Sequence, residues 1–140
     1  MKYPIDRKER ITLGGMTQAI HIWGTKAENP VILFLHGRSL SGSNLNKVRE
    51  YGVIDALWRG RKIDAIVIAP QVNHSQSWRP ERVMNIVDWV SSRYDVDSTR
   101  LYVMGMSLGG FGTIDFAATY PDRVAAAVAM CGGSTLNTTT

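Results

Sequence analysis

The sequence predicts an α/β fold, in which a mostly parallel β-sheet is flanked by helices. Two observations lead to this prediction. Short runs of consecutive apolar residues, which are typical of strands covered on both faces, recur along the chain. Between them lie segments whose apolar residues fall three or four positions apart, as in helices that pack through one side. Strands and helices that alternate at this spacing form parallel sheets joined by right-handed crossovers.

Length and composition indicate one globular domain that spans residues 1–140. Of its 140 residues, 44% are hydrophobic and 20% are charged, which are ordinary values for a folded domain. The single cysteine, Cys131, excludes an internal disulfide. The net charge is +4, but Lys and Arg are interspersed with acidic residues and form no basic tract, so we expect no nucleic-acid partner.

Hydropathy gives no sign of a membrane protein. No apolar run approaches the roughly 18 residues of a membrane-spanning helix. The N-terminal residues also lack the apolar stretch of a signal peptide. We therefore expect a cytoplasmic protein without a membrane partner, with secretion of a processed form as the alternative.

The N-terminal part of the chain predicts a hairpin followed by a buried strand. Residues 11–23 mix polar and apolar side chains, and Gly14 and Gly15 interrupt them, which indicates a hairpin or two short edge strands around a turn. Residues 31–35 are apolar at every position, so they predict the first strand that is covered on both faces.

A helix and a second buried strand are predicted next. Apolar residues at helical spacing predict an amphipathic helix over residues 48–59, with Gly60 as its stop. Residues 65–69 form the next apolar run, and we expect Pro70 to end that strand.

The C-terminal half repeats the alternation. Apolar residues at i, i+3, i+4 and i+7, together with a proline at a first helical position, predict a helix that begins at Pro80. The remaining predicted elements are a turn at 97–100, a strand at 101–104, a helix at 108–120 and a last strand at 124–130.

The strongest chemical signal is the segment 105–109, which reads Gly-Met-Ser-Leu-Gly and fits the motif G-x-S-x-G. The segment lies between a predicted buried strand and a predicted helix, which is the context that holds a nucleophilic serine on a sharp turn. The flanking glycines remove side chains that would clash across such a turn. The sequence therefore predicts Ser107 as the nucleophile that attacks an acyl carbon.

A nucleophile of this kind needs backbone N–H groups that stabilise the negative charge on the substrate oxygen. Leu108 begins the helix after the serine, and the loop after the first buried strand supplies the second donor in this architecture. We therefore predict the backbone N–H groups of Leu108 and Arg38 as the oxyanion hole. His36, at the end of the same strand, is interpreted as a buried histidine that holds the loop rather than as a base.

Several segments resemble one known group of enzymes. These are Leu-His-Gly at 35–37, Ala-Pro-Gln at 69–71, Trp78, and Asp-Ser-Thr-Arg-Leu-Tyr-Val-Met-Gly-Met-Ser-Leu-Gly-Gly at 97–110. Together they resemble the α/β-hydrolase esterases and predicted peptidases related to feruloyl esterases, polyhydroxybutyrate depolymerases and the phospholipase/carboxylesterase family. The resemblance implies carboxylic-ester hydrolysis through an acyl-enzyme on Ser107, a small-molecule ester substrate, and neither a metal nor another cofactor. A serine peptidase of the same fold is an alternative.

The resemblance also implies an Asp and then a His, each on a loop after a further strand. No histidine follows Ser107, and the acidic residues after it are Asp115 and Asp122, which we interpret as surface or capping residues of the helix. We therefore expect a hydrolase fold that lacks its last strands, because the chain is a fragment, a truncated product, or completed by a partner. An impaired or inactive module with a binding role is the non-enzymatic alternative.

Two residues are candidates for lining the substrate site. His74 follows the second buried strand and is interpreted as a solvated loop residue, with a place at the substrate mouth or a role as substitute base as alternatives. Trp78 either walls a binding groove or anchors the packing before the next helix. The exposed edge of the strand at 124–130 predicts a homodimer or a strand-swapped oligomer.

Overall fold

The computed structural model describes residues 4–13, 16–24 and 28–136. Its described part forms one six-stranded sheet with helices on both faces. The elements are β1 (Ile5–Leu13), β2 (Met16–Gly24), β3 (Asn29–Leu35), α1 (Val53–Trp58), β4 (Ile66–Gln71), α2 (Pro80–Arg93), β5 (Val96–Met106), α3 (Leu108–Thr119) and β6 (Ala126–Met130), with 3-10 helices at Arg38–Leu40 and Leu45–Arg49.

The strand order is β1-β2-β4-β3-β5-β6, and the four strands from β3 to β6 are mutually parallel. The first two strands form an antiparallel hairpin that joins the sheet beside β4, so the prediction of a mostly parallel sheet is confirmed. The predicted Gly14–Gly15 turn of this hairpin lies outside the described residues. Because β3 and β5 are neighbours, their carboxyl ends meet at one edge of the sheet, where ligand sites of such folds form.

Alternating residues of β3 and β4 point to two apolar layers. Leu33 and Ile68 face α2 and α3, where they pack with Phe116, while Phe34 and Val67 face α1. All five of these side chains are at most 2% exposed. Strands buried on both faces need apolar residues at every position, which is why the continuous apolar runs identified them.

The predicted helix at 48–59 is wrong in its first half. A 3-10 helix covers Leu45–Arg49, and α1 begins only at Val53. The break falls at Gly52, whose φ of 86° is left-handed and whose missing side chain leaves room for the ring of Phe34. The chain therefore turns at Gly52 before α1 starts, in a conformation and at a close approach to Phe34 that favour glycine.

Two further boundaries differ from the sequence prediction. Pro70 does not end its strand but lies inside β4, opposite Ile20 of β2. On the other side of β4, the pairing with β3 ends at Ile68. Pro70 lies beyond this pairing, so its missing N–H removes no backbone hydrogen bond to β3. The predicted turn at 97–100 is an irregularity within β5, where the register with β3 shifts between Asn29 and Val31.

The remaining elements follow the sequence closely. The helix predicted from Pro80 is α2, the helix predicted at 108–120 is α3, and the last predicted strand is β6, which begins two residues late at Ala126. In the described part of the chain, no helix combines the length and the apolar character needed to cross a lipid bilayer.

Candidate active site

Ser107 lies on the sharp turn between β5 and α3. Its φ of 55° and ψ of −115° are unusual for a residue with a side chain, and the structure therefore has the strained backbone expected of a nucleophile elbow. The backbone N–H of Ser107 donates a hydrogen bond to the carbonyl of Met130 at 2.8 Å, which fixes the turn to the end of β6. The residue itself is exposed, so its hydroxyl is accessible to a substrate.

The glycines on either side of Ser107 are required by contacts between backbones. A Cβ on Gly105 would lie 2.7 Å from the carbonyl oxygen of Leu35 and would also overlap the carbonyl of Gly109. A Cβ on Gly109 would overlap the carbonyl of Leu35 and lie 2.8 Å from that of His36. The first turn of α3 thus packs directly against the end of β3, which confirms the reason that the motif needs glycine at these two positions.

The loop after β3 lies against the nucleophile. A Cβ on Gly37 would be 3.2 Å from the carbonyl oxygen of Met106 and 3.6 Å from the Cβ of Ser107. Arg38 begins the 3-10 helix of this loop, and Leu108 begins α3. Neither of their backbone N–H groups has a hydrogen-bond partner among the described residues. The structure therefore brings the predicted nucleophile and both predicted oxyanion donors to one edge of the sheet.

His36 is fully buried and holds this loop to β4, as the sequence predicted. Its Nδ1 donates to the carbonyl of Gly37 at 2.7 Å, and its Nε2 accepts from the backbone N–H of Val72 at 3.1 Å. These two bonds fit the neutral ring with its proton on Nδ1. Burial lowers the pKa of His36 to about 4, although the bond to Gly37 acts in the opposite direction. His36 is therefore neutral near pH 7, and because both of its ring nitrogens are engaged in these hydrogen bonds, neither is free to take the proton of Ser107.

Two polar side chains connect the loop after β3 with β4 and the segment that follows it. Nη1 of Arg38 donates to the carbonyl oxygens of His74 at 2.7 Å and Gln76 at 3.1 Å. Nε2 of Gln71 donates to the carbonyls of Leu40 and Asn44 at 2.9 and 2.8 Å. The guanidinium of Arg38 thus links the two loops, while its backbone N–H has no partner among the described residues.

His74 is exposed at the mouth of this edge of the sheet. Its Nε2 lies 3.4 Å from the position that a Cβ on Gly42 would take, and its ring makes no hydrogen bond to Ser107 in the described structure. Its contribution to the site is its backbone carbonyl, which accepts from Arg38. In this arrangement His74 is a loop residue and is not placed to take the proton of Ser107.

Trp78 anchors the packing before α2 and also lines a cavity. It is buried, its Nε1 donates to the carbonyl of His36 at 3.0 Å, and its ring packs edge-on against the imidazole of that residue with centroids 4.9 Å apart. A Cβ on Gly112 would lie 2.5 Å from that of Trp78, so α3 approaches this side chain closely. Trp78 also lines a cavity of about 260 Å³ beside the elbow, together with Leu108 and Phe111.

The comparisons with known proteins agree on one family. The sequence profile of the family described as "Putative esterase" matches residues 64–137, which is more than half of the chain. The chain belongs to this esterase family. It is 38% identical over 61 residues to acetylxylan esterase A of Emericella nidulans, and 41% identical over 51 residues to poly(3-hydroxyalkanoate) depolymerase C of Paucimonas lemoignei. These matches cover 44% and 36% of this chain, but only 20% and 12% of the two relatives.

Solved structures show the same fold over most of the chain. A thermostable esterase superposes with a TM-score of 0.76 at 21% identity, covering 91% of this chain and 41% of its own. S-formylglutathione hydrolase from Staphylococcus aureus gives 0.76 at 22% identity, with coverage of 94% and 59%. Acetyl xylan esterase from Aspergillus awamori gives 0.71 at 22%, with coverage of 91% and 53%. The esterase chain therefore has the α/β-hydrolase fold and spans about half the length of these structures.

Asp115 of the esterase chain is not the surface or capping residue that the sequence suggested. It is 2% exposed and accepts hydrogen bonds from Oγ of Ser134 at 2.7 Å and from the backbone N–H and Oγ of Thr135. Burial raises the pKa of Asp115, but the hydrogen bonds from Thr135 and Ser134 outweigh it, so the pKa is below its ordinary value. Asp115 thus anchors the segment after β6 over the cavity beside the elbow. Asp122 is exposed, as expected.

Replacing this buried acceptor should destabilise the esterase fold. We expect Asp115→Asn to lower the free energy of unfolding by about 2 kcal/mol, because an amide offers one acceptor oxygen and turns its NH₂ group towards the donors of Ser134 and Thr135. Urea unfolding at pH 7 measures the change. The matched control, Asp122→Asn, should stay within about 0.5 kcal/mol of the parent. Equal effects of the two substitutions would show that Asp115 is not an anchor.

Tyr51 is the site residue that sequence reasoning missed. Its hydroxyl accepts a hydrogen bond from the backbone N–H of Gly37 at 3.0 Å and lies 3.3 Å from Oγ of Ser39. In the sequence it falls inside the predicted helix at 48–59, where a half-buried aromatic residue does not stand out from the other residues of the helix.

Within the described part of the chain, no group of three or more His, Cys, Asp or Glu side chains is arranged to hold a metal ion.

Proposed function

We propose that this chain carries the nucleophile of a serine esterase, which hydrolyses a small carboxylic ester through an acyl-enzyme on Ser107. The observation that supports it best is the strained, exposed Ser107 beside the backbone N–H groups of Leu108 and Arg38, which have no partner within the described part of the chain. The named activities of the matched relatives, acetylxylan esterase and poly(3-hydroxyalkanoate) depolymerase, are in keeping with an ester substrate.

The chemistry follows from these groups. Oγ of Ser107 attacks the ester carbonyl carbon, and the carbonyl oxygen takes the negative charge within reach of the two N–H donors. Collapse of this intermediate breaks the bond to the alcohol, which departs with the proton that Oγ of Ser107 gave up to a base, and the acyl group stays on the serine. Water then attacks the acyl carbon through a second intermediate of the same kind and releases the acid.

The proton of Ser107 needs an acceptor that the described structure does not provide. None of the three histidines makes a hydrogen bond to Ser107, since His36 is engaged elsewhere, His21 pairs with Asp6, and His74 lies beside Gly42. We propose that an Asp and a His outside this sequence, or on a partner chain, complete the site. The alternative, an impaired module with a binding role, is favoured by the same observation.

A fluorophosphonate probe tests the proposal because it reacts with activated serines. We expect a mass increase on the folded protein that maps to Ser107, and none after Ser107→Ala. Because the activating base is missing, hydrolysis of p-nitrophenyl acetate by the parent should not exceed about a thousandfold to ten-thousandfold over water, the residual that oxyanion donors and binding supply alone. Folded parent protein that takes no label would contradict the proposal. Labelling without turnover would identify the impaired module.

Other expectations from the sequence stay predictions. Strand β6 is the outermost strand of the sheet, and Val128 on it is 53% exposed, which is the basis for expecting a homodimer or a strand-swapped oligomer. The cytoplasmic location, the preference for esters over peptides, and the expected absence of a cofactor and of nucleic-acid and membrane partners rest on the sequence alone.

A further inference from the structure

We infer that Tyr51 is a positioning residue of the oxyanion hole, which selects Arg38 rather than Gly37 as the donor in the loop. The inference rests on the proposed function, because it concerns the same reaction at Ser107. Its basis is the hydrogen bond from the backbone N–H of Gly37 to the hydroxyl of Tyr51 at 3.0 Å.

This bond removes one of the two N–H groups that the loop could offer to a substrate. Gly37 and Arg38 are adjacent and both follow β3 at the edge where Ser107 lies. The N–H of Gly37 is occupied by Tyr51, whereas that of Arg38 has no partner among the described residues. The plane that carries the N–H of Arg38 is joined to the held plane through only φ and ψ of Gly37, so fixing the first plane reduces the positions that the second can take.

The contacts of Gly37 show how closely the three groups fit together. Its φ of −80° is an ordinary extended value, so backbone conformation does not require a glycine here. A Cβ at this position, however, would lie 2.9 Å from the hydroxyl of Tyr51 and 3.6 Å from the Cβ of Ser107. The distance to Ser107 is an ordinary contact, so glycine is required here by the hydroxyl of Tyr51 and by the carbonyl oxygen of Met106, which would lie 3.2 Å from the Cβ.

The ring of Tyr51 is held from outside the site. It is half-buried and packs on the apolar cluster that includes Phe34 and Ile54. Gly52, directly after it, takes the left-handed conformation that ends the preceding segment before α1 begins. A Tyr51→Phe substitution should leave the packing of the ring intact, so its effect reports on the hydroxyl.

The hydroxyl can also reach a second group on the same loop. Tyr51 accepts from Gly37 through a lone pair, and its own proton lies within reach of Oγ of Ser39 at 3.3 Å. The two contacts hold the loop at Gly37 and Ser39, on either side of Arg38. Tyr51 therefore restrains the backbone on both sides of Arg38, whose N–H is the proposed oxyanion donor.

The test compares Tyr51→Phe with the parent by two measurements. The first is the rate of fluorophosphonate labelling of Ser107, which we expect to fall about tenfold, less than the hundredfold or more lost with a direct oxyanion donor. The second is amide hydrogen exchange at Gly37, which we expect to become at least tenfold faster, with the melting temperature within about 2 °C of the parent. Tyr102→Phe, on the exposed side of β5, is the matched control and should change neither rate.

The two measurements separate this inference from the proposed function. Parent protein that takes no label would contradict the function proposed for this chain, while exchange at Gly37 would still decide whether Tyr51 holds the loop. Unchanged exchange in Tyr51→Phe would overturn the inference, and so would faster exchange with an unchanged labelling rate. Slower labelling with faster exchange at Gly37, and an unchanged melting temperature, is the result that supports it.

Discussion

Gly109→Ala is expected to destabilise the fold by about 3 kcal/mol or more, although the substitution introduces a better helix former. In an open helix the change would stabilise by about 1 kcal/mol. Here the added methyl group overlaps the carbonyl of Leu35 and comes within 2.8 Å of the carbonyl oxygen of His36. Both obstacles are backbone atoms at the buried end of β3, so no side-chain rotation relieves the contact, and α3 must move away from the sheet.

The experiment is urea unfolding of the variant beside Gly60→Ala. Gly60 has a φ of 92° and nothing within 4 Å of its missing Cβ, so alanine there has only the conformational cost of about 1 kcal/mol. The difference between the two variants measures the close approach of α3 to β3. A loss at Gly109 no larger than that at Gly60 would mean that the elbow can open without cost, and the packing described above would be wrong.

The parts of the fold that could be predicted are those with a local signal. Buried parallel strands need apolar residues at every position, and the elbow needs a serine between glycines, so β3, β4 and Ser107 are visible in the sequence. The positions of Leu108 and Arg38 near Ser107 could be predicted because the architecture fixes where the loop after β3 must lie relative to the start of α3, and their part as oxyanion donors stays a prediction. His36 followed for the same reason, as the last buried position before that loop.

The parts that could not be predicted depend on contacts between distant segments. The carboxylate of Asp115 is buried because Ser134 and Thr135, which lie 19 and 20 residues later, supply its hydrogen bonds. The role of Tyr51 depends on Gly37, 14 residues earlier, and on the break at Gly52 that no helical pattern reveals. Polar contacts between distant segments produce no periodic pattern in the sequence, so only the folded structure identifies them.

His36 is expected to make the fold acid-sensitive well above the range in which carboxylates titrate. In the unfolded chain its pKa is near the ordinary value of 6.5, whereas burial lowers the pKa of the folded state to about 4. Above pH 6.5 the ring is neutral in both states, so stability is at its full value. Below that pH His36 binds a proton in the unfolded chain but not in the folded chain. The free energy of unfolding therefore falls with decreasing pH until His36 is also protonated in the folded state near pH 4. The loss over this range is about 3 kcal/mol.

The sign and size of this effect can be isolated with His36→Gln, whose side chain does not titrate. Burial also lowers the pKa of His21, although its hydrogen bond to Asp6 opposes the shift, so part of the acid sensitivity remains in the variant. Between pH 6.5 and 5, the parent should lose about 2 kcal/mol more than the variant in urea unfolding. If the variant does not fold, the ring proton resonances of His36 in the parent decide instead, and we expect them to stay constant from pH 7 to 5. A midpoint near 6.5 would mean that the imidazole is not held between Gly37 and Val72, and the loop that carries Arg38 would then lack this link to the residue after β4.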